Sequence, residues 1–506
     1  MGNRAIRVTG LILLALAWQS LATPAKAGGM SEATEECIGC HKEVTPGIVA
    51  DWRRSRHART SPADALALPA TERRVSAASV PEELRDTVVG CAECHTRSPD
   101  THADTFDHNG HRVHIVVTPE DCAACHPEER AQYAGNLMAN AHDNLMGNPL
   151  FASLVAEVNG PASFDGTRLA SHAPGALTNA DSCLACHGTR VTVAGTETRD
   201  TAMGEMAFPV LLGWPNQGVG RINPDGSRGA CTSCHTRHRF SIAEARTPEA
   251  CEQCHKGPDV PAYKVYEVSK HGAIFNSAEG AFDLDAVPWK VGEDFRAPTC
   301  AACHVSLVTT PGGEVVAART HRMSDRLKHR LFGVIYATAH PRSPDTTRLR
   351  TASGLPLASE LTGEPASGLL IDGPEQARRR ARMAALCRQC HSGQWVRGHF
   401  EKLDRTVETT NALTLAATRV ILEAWDTGAA RGPAQGDSLF NEAIEKMWVE
   451  QWLFYANSTR FASAMAGADY GAFANGRWHL RRNLAQMVDW LGFRRELVPD
   501  EDDPPR

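Results

Sequence analysis

The chain has 506 residues, with 59 acidic against 53 basic side chains and a formal net charge of −6. That mild acidity gives no footing for nucleic-acid binding, which calls for a basic face. The length would allow two to four ordinary domains, but aromatics make up only 6% and hydrophobic residues 42% of the chain. Part of the buried apolar surface is therefore expected from something other than side chains.

At the N-terminus, Arg4 and Arg7 precede an apolar run from Val8 to Leu21, followed by the small-x-small string Ala25-Lys26-Ala27. Residues 1–27 read as a cleaved signal peptide, because the run is short for a membrane span. The expectation is export to the periplasm, with no transmembrane helix in the mature chain.

From residue 28 to about 400 one motif, Cys-x-x-Cys-His, recurs eight times and uses all sixteen cysteines. Its copies are Cys37/Cys40/His41, Cys91/Cys94/His95, Cys122/Cys125/His126 and Cys183/Cys186/His187, then Cys231/Cys234/His235, Cys251/Cys254/His255, Cys300/Cys303/His304 and Cys387/Cys390/His391. In a c-type haem the two cysteines form thioethers to the porphyrin and the histidine ligates the iron. Taken alone, the pair at 231 and 251 would pass for a zinc ribbon. Zinc does not require a histidine after every second cysteine, so eight covalent haems are expected. No cysteine remains for a disulfide.

Fourteen of the 22 histidines lie outside the motifs, enough to give each iron a second axial ligand. His57, His238 and His271 lead, each in a short Ser/Arg-flanked segment near a motif, followed by His111, His114, His142 and His329. An iron with two histidines suits electron transfer, whereas one left open can take substrate.

Short helices are expected to carry the motifs, since the spacing of Cys, Cys and His puts all three on one helical face. The motif starts are unevenly spaced, 20 residues apart at 231 and 251 but 87 apart at 300 and 387, which excludes a solenoid. Gly354–Gly373 reads as a surface loop. Beyond His399 the texture changes, with apolar residues at helical spacing over Leu403–Asp426, Ser438–Met465 and Arg477–Leu491 and breaks at Gly428–Gly436 and Gly467–Gly476. Leu439, Ala443, Met447, Trp448, Trp452 and Tyr455 form one such stripe. The expected fold is mainly α: a loop-rich multihaem cytochrome c domain over 28–400, a long-helix bundle over 401–495, and a disordered acidic tail over 496–506.

Eight motifs followed by a long helical section resemble the octahaem hydroxylamine oxidoreductase and hydrazine dehydrogenase family, which is related to the cytochrome c nitrite reductases. The likeness spans about residues 30–495. It rests also on the strings at Cys183–Gly188, Gly257-Pro258-Asp259, Ser269-Lys270-His271-Gly272, Ile335-Tyr336-Ala337 and Gly467-Ala468-Asp469-Tyr470. It implies a homotrimer in which seven haems are bis-histidine wires and the fourth, on Cys183/Cys186/His187, is five-coordinate and catalytic. It also implies that Tyr470, with Tyr455 as the fallback, bonds covalently to that haem in a neighbouring subunit. Asp259 would serve as the pocket's base and Tyr336 as its tyrosine, but Val260 stands where the family pattern leads one to expect a histidine. The implied activity is oxidation of hydroxylamine to nitric oxide or nitrite, with electrons passed to a c-type cytochrome. The alternatives are hydrazine oxidation, reduction of nitrite or hydroxylamine, and a pure electron conduit.

Overall fold

The computed structural model describes residues 28–497 apart from 167, 168, 202 and 279. The expected signal peptide and all but the first two residues of the acidic tail lie outside the described residues.

The first three quarters of the chain consist of short helices and long connections, as its Gly and Pro punctuation predicts. Three motifs form five-residue helices of their own, at Cys91–His95, Cys183–His187 and Cys300–His304. The first lies inside Glu32–Val44 and the sixth ends Glu249–His255. The expectation of one helix per motif does not hold throughout. The fifth begins on a 3-10 turn, Cys231–Ser233, while Pro119–Cys122 and Gly373–Cys387 stop at the first cysteine of their motifs.

Strands are few and paired locally. Thr105–His108 and His111–His114 form a hairpin around Asn109 and Gly110, both at positive φ, as an Asn-Gly turn between short strands requires. A longer hairpin joins Thr192–Thr201 to Gly204–Leu212, with Thr192 opposite Leu212; most of it is exposed.

The C-terminal part is built on a helix from Gly393 to Asp426, 34 residues and about 51 Å long. Ser392 caps it by accepting a hydrogen bond from the Trp395 N–H at 3.3 Å. Because that cap directly follows His391, the boundary expected at residue 400 falls inside the helix. Trp395, His399 and Phe400 from its first turns line the same cavity as the motifs. The helix also presents a buried row of Thr406, Thr410, Thr414 and Thr418. Each hydroxyl donates to the carbonyl four residues back, at 2.8–3.0 Å, which satisfies a polar stripe that burial would otherwise penalise.

Against this helix pack Ala443–Glu450, a π-helical turn Gln451–Tyr455, Ala456–Met465 and Arg477–Leu497. The Gly467–Gly476 break contains one more short helix, Ala468–Ala472. The core here gathers Ala417, Ile421, Ile444, Trp448, Trp452 and Met487. The indole N–H groups of Trp448 and Trp425 donate to Thr418 Oγ1 and Glu445 Oε1, each at 3.0 Å.

Candidate functional site

All eight motifs open onto one connected, mostly apolar cavity of about 2320 Å³. No pair of the sixteen cysteines forms a disulfide. The motifs form a line: Cys122 and Cys231, and Cys251 and Cys300, come within hydrogen-bonding reach, while Cys37 and Cys91, Cys94 and Cys125, Cys234 and Cys251, and Cys303 and Cys387 are close enough for their charges to interact. The fourth motif stands off this line and joins it at the sixth, where the Cys186 and Cys254 sulfurs are within hydrogen-bonding reach.

Cys40 departs from the expectation that both cysteines and the histidine of every motif face the haem space. Cys37 and His41 line the cavity, but Cys40 is exposed and stands outside its wall. The reason lies in the helix Glu32–Val44. Cys37 and His41, four residues apart, stack on its inward side, and Cys40 falls about 60° round the axis towards solvent. Cys390 is exposed as well, yet it still reaches the cavity wall. A thioether from Cys40 would therefore form at the rim of the cavity, at the first haem's outer edge.

The motif histidines are oriented from behind. His95 Nδ1 meets the His114 carbonyl at 2.8 Å, His304 Nδ1 the Met323 carbonyl at 3.0 Å, and His187 Nδ1 the Ala141 carbonyl at 3.3 Å. A carbonyl on Nδ1 fixes the tautomer that leaves the Nε2 lone pair free for a metal.

Four motif histidines face a second histidine across the cavity. Ring centroids are 6.1 Å apart for His41 and His108, 6.3 Å for His126 and His57, 6.5 Å for His235 and His321, and 6.1 Å for His391 and His271. Metal–imidazole bonds of about 2 Å would put two trans rings roughly 6 Å apart, so these pairs fit two ligands on opposite faces of one haem. His238 stands close enough to His95 for their charges to interact. Burial pushes the pKa values of His57, His238 and His321 down to about 4. The imidazoles are thus neutral at neutral pH, the form that ligates.

His57, His238 and His271 line the cavity, as do His114 and His329, while His111 and His142 lie outside it. His111 lies outside it, with Nε2 2.9 Å from Glu36 Oε2. It is His108, across the Asn109-Gly110 turn, that faces His41. His142 follows Ala141, the residue holding His187 from behind, and its Nδ1 meets Asp143 Oδ1 at 2.9 Å. It therefore sits on the motif side of His187 and does not line the cavity. His114 touches the cavity wall, fully buried, with its ring centroid 5.9 Å from that of His95 and its ring stacked on His102 at 3.7 Å. His329 lines the cavity with Nε2 2.9 Å from Asp404 Oδ1. His108, His321, His340 and His399 line the cavity without having been singled out by sequence.

Around the fourth motif two backbone positions are special. Gly188, immediately after His187, has φ +91°, and a Cβ there would lie 2.2 Å from the Arg221 backbone nitrogen. Gly188→Ala is expected to displace His187, with one haem per chain lost on haem analysis. Gly257, at φ +83°, turns the chain so that Asp259 reaches the cavity between the fourth and sixth motifs, where its charge acts on both His187 and His255. The Asp259 carbonyl accepts from Asn457 Nδ2 at 3.1 Å, and Asn457 Oδ1 accepts from Arg460 at 3.1 Å. Asp259 is thereby tied to the C-terminal bundle. Val260 lines the cavity beside it.

Tyr336 is not a cavity residue. Its hydroxyl donates to the Leu361 carbonyl at 2.7 Å and its ring is 3% exposed within the bundle core. The side-chain amide of Asn411 holds both backbone groups of Ala337, at 3.1 and 2.9 Å, and carries the segment into the bundle. Tyr470 lies on the helix Ala468–Ala472, half-buried beside Lys264 and Glu267 and away from the cavity of its own chain. Tyr455 donates to Glu450 Oε2 at 2.9 Å.

The motif set, the apolar cavity and the facing imidazoles define a multihaem cytochrome. Residues 224–323 match the family described as "Seven times multi-haem cytochrome CxxCH", and residues 169–256 match cytochrome c7 and related cytochromes c. A solved structure of a hypothetical multiheme protein is 40% identical, with a TM-score of 0.87, over 94% of this chain and 98% of that one. The chain belongs to the multihaem c-type cytochromes. A Kuenenia stuttgartiensis protein named "Probable nitrite reductase-hydroxylamine oxidoreductase fusion protein" is 28% identical over 289 residues, 54% of this chain. The chain matches only 25% of that relative's length. A reducing HAO-like protein complex of the same organism shares the fold at a TM-score of 0.59 and 20% identity, over 92% of this chain and 86% of that one. No helix among the described residues is long and apolar enough to cross a membrane.

Proposed function

We propose that the chain is a periplasmic octahaem oxidoreductase that oxidises hydroxylamine at the fourth motif and delivers the electrons to a c-type cytochrome. The observation that carries this reading is Asp259, a carboxylate on the cavity wall beside His187. The facing pairs His41/His108, His126/His57, His235/His321 and His391/His271, with His95/His238, would each hold one electron-transfer haem. Bound haem would supply electron removal and, where its iron keeps one protein ligand, a place for the substrate nitrogen.

Oxidation of NH2OH to NO releases three protons and three electrons, and further oxidation with water to nitrite brings the total to five protons and four electrons. Protons need an acceptor at the site, and Asp259 is the ionisable side chain positioned to take one, directly or through water. The line of adjacent motifs gives the electrons a route, entering at the sixth motif and continuing towards the first or the eighth. The apolar walls, among them Val260, Phe332 and Phe454, keep bulk water from the path.

Tyr470, which lies away from the cavity of its own chain, is assigned as the residue that bonds a neighbouring subunit's fourth haem in a homotrimer. Tyr470→Phe should abolish a covalent inter-subunit link on a denaturing gel while eight haems stay attached. Monomers from the unaltered protein would remove that assignment. A second reading, reduction of nitrite or hydroxylamine, is favoured by Val260, which cannot accept a proton, and by the name of the Kuenenia complex that shares the fold. Steady-state assays with hydroxylamine plus an electron acceptor, against nitrite plus a donor, decide the direction. Turnover only with nitrite would overturn the oxidative reading.

A further inference from the structure

Beyond the seventh motif, His329–Arg330 pairs with Thr338–Ala339 in a two-stranded sheet, with Arg330 opposite Thr338. This part of the chain brings cations to the cavity wall, where Lys328, Arg330 and Arg380 are all exposed to the same space. Two of the three have a counter-charge. Lys328 and Arg380 share the Asp404 carboxylate, Lys328 Nζ at 3.1 Å, and His329 Nε2 takes the same oxygen at 2.9 Å. Arg326, four residues before Arg330, donates to four backbone carbonyls.

Arg330 has no such partner. Among the described residues its guanidinium makes no hydrogen bond or ion pair. What it meets is the Phe332 ring, whose centroid lies 5.7 Å from the guanidinium carbon. Burial alone pulls its pKa down to about 10, with no acid near enough to oppose the shift. The backbone on either side is tied down, since the His329 carbonyl meets His340 Nε2 at 3.1 Å and the Leu331 carbonyl accepts from Arg460 at 3.5 Å. A guanidinium kept from water without a counter-charge is costly, so its anion is expected from the occupant of the cavity. A c-type haem carries two propionates, and a carboxylate matches the planar fork of arginine.

We propose that Arg330 binds a propionate of one haem through a two-pronged salt bridge, positioning that haem and raising its reduction potential. The sign follows from charge. A ferrous haem carries one positive charge fewer than a ferric one, so a nearby guanidinium favours the reduced state. Removing it leaves the propionate's negative charge uncompensated, which favours the oxidised state. Arg330 is a positioning residue in this scheme, and its role is independent of the substrate and of the direction of catalysis.

Spectroelectrochemical titration of the haem-loaded protein should show one haem midpoint moved to lower potential in Arg330→Met, with haem content unchanged. Arg330→Lys, which keeps the charge but not the fork, should recover part of that shift. A crystal structure of the unaltered haem-loaded protein should place the guanidinium within hydrogen-bonding distance of a propionate, which keeps the proposal testable should a variant fail to take up haem. Nitrite probes the other class of cavity anion, and the spectral change on its addition should be equal in Arg330→Met and the parent. Midpoints unchanged in Arg330→Met, or a guanidinium turned to water or to a protein carboxylate in the crystal, would overturn the proposal. Nitrite binding lost while every midpoint holds would overturn it in favour of a substrate anion.

Discussion

Asp259→Asn is expected to lower hydroxylamine oxidation about a hundredfold or more, the usual worth of a positioned general base, with all eight haems still attached. Asparagine keeps the size of the side chain and leaves the Asp259 carbonyl free to accept from Asn457, so the loop should hold its place. The loss should fall mainly on kcat, because the proton is taken during the reaction rather than at binding. An unchanged rate would place the base elsewhere and leave Asp259 as a turn residue after Pro258. Asn457→Ala, which removes the tie to the loop without touching the carboxylate, should give a smaller loss of the same kind.

Arg460→Met should lower stability by roughly 3 kcal/mol, read as an earlier denaturant midpoint for the haem-loaded protein. The Arg460 side chain is fully buried, and burial pulls its pKa down to about 9. It spans the bundle by donating to Thr410 Oγ1 at 3.0 Å, Asn411 Oδ1 at 2.7 Å and Asn457 Oδ1 at 3.1 Å. Methionine fills the volume but strands those acceptors away from water. Since Asn457 also holds the Asp259 segment and Asn411 holds Ala337, the variant should lose turnover along with stability. A midpoint unchanged from the parent would show that water satisfies these groups.

Much of this architecture is legible in the sequence because the cofactor motif is spelled in consecutive residues. Covalent attachment needs two cysteines and a histidine at fixed spacing, so every motif announces itself. The spelling does not say how deep each sulfur sits, and Cys40, exposed at the cavity rim, has the same local sequence pattern as the enclosed Cys94. The second axial histidine needs only to arrive from anywhere in the fold, and such contacts have no local spelling. His321 meets His235 across 86 positions of sequence, and His271 meets His391 across 120. His108 is the instructive case. The Asn109-Gly110 turn marks a hairpin in which His108 and His111 are cross-strand partners on one face, and that face meets the helix Glu32–Val44, His108 at His41 and His111 at Glu36.

Tyr336 marks another limit. The string Ile335-Tyr336-Ala337 matches the family pattern, yet Asn411 on the long helix anchors Ala337 and the Tyr336 ring packs in the bundle core instead of the cavity. The bundle helices are readable from their apolar spacing. Their true start at Gly393 is hidden because the first two turns carry Trp395 and His399 for the cavity rather than a repeating core stripe.

The central claim of the proposed function, that the haem on Cys183, Cys186 and His187 has an open iron, is tested most directly by counting spin states. Low-temperature electron paramagnetic resonance of the oxidised protein, with and without added hydroxylamine or cyanide, resolves six-coordinate from five-coordinate haem. The account predicts a single high-spin haem that responds to the added ligand and disappears in the Cys183→Ala/Cys186→Ala variant, with the remaining haems low-spin throughout. Eight low-spin haems that ignore both ligands would contradict it and leave the protein an electron conduit.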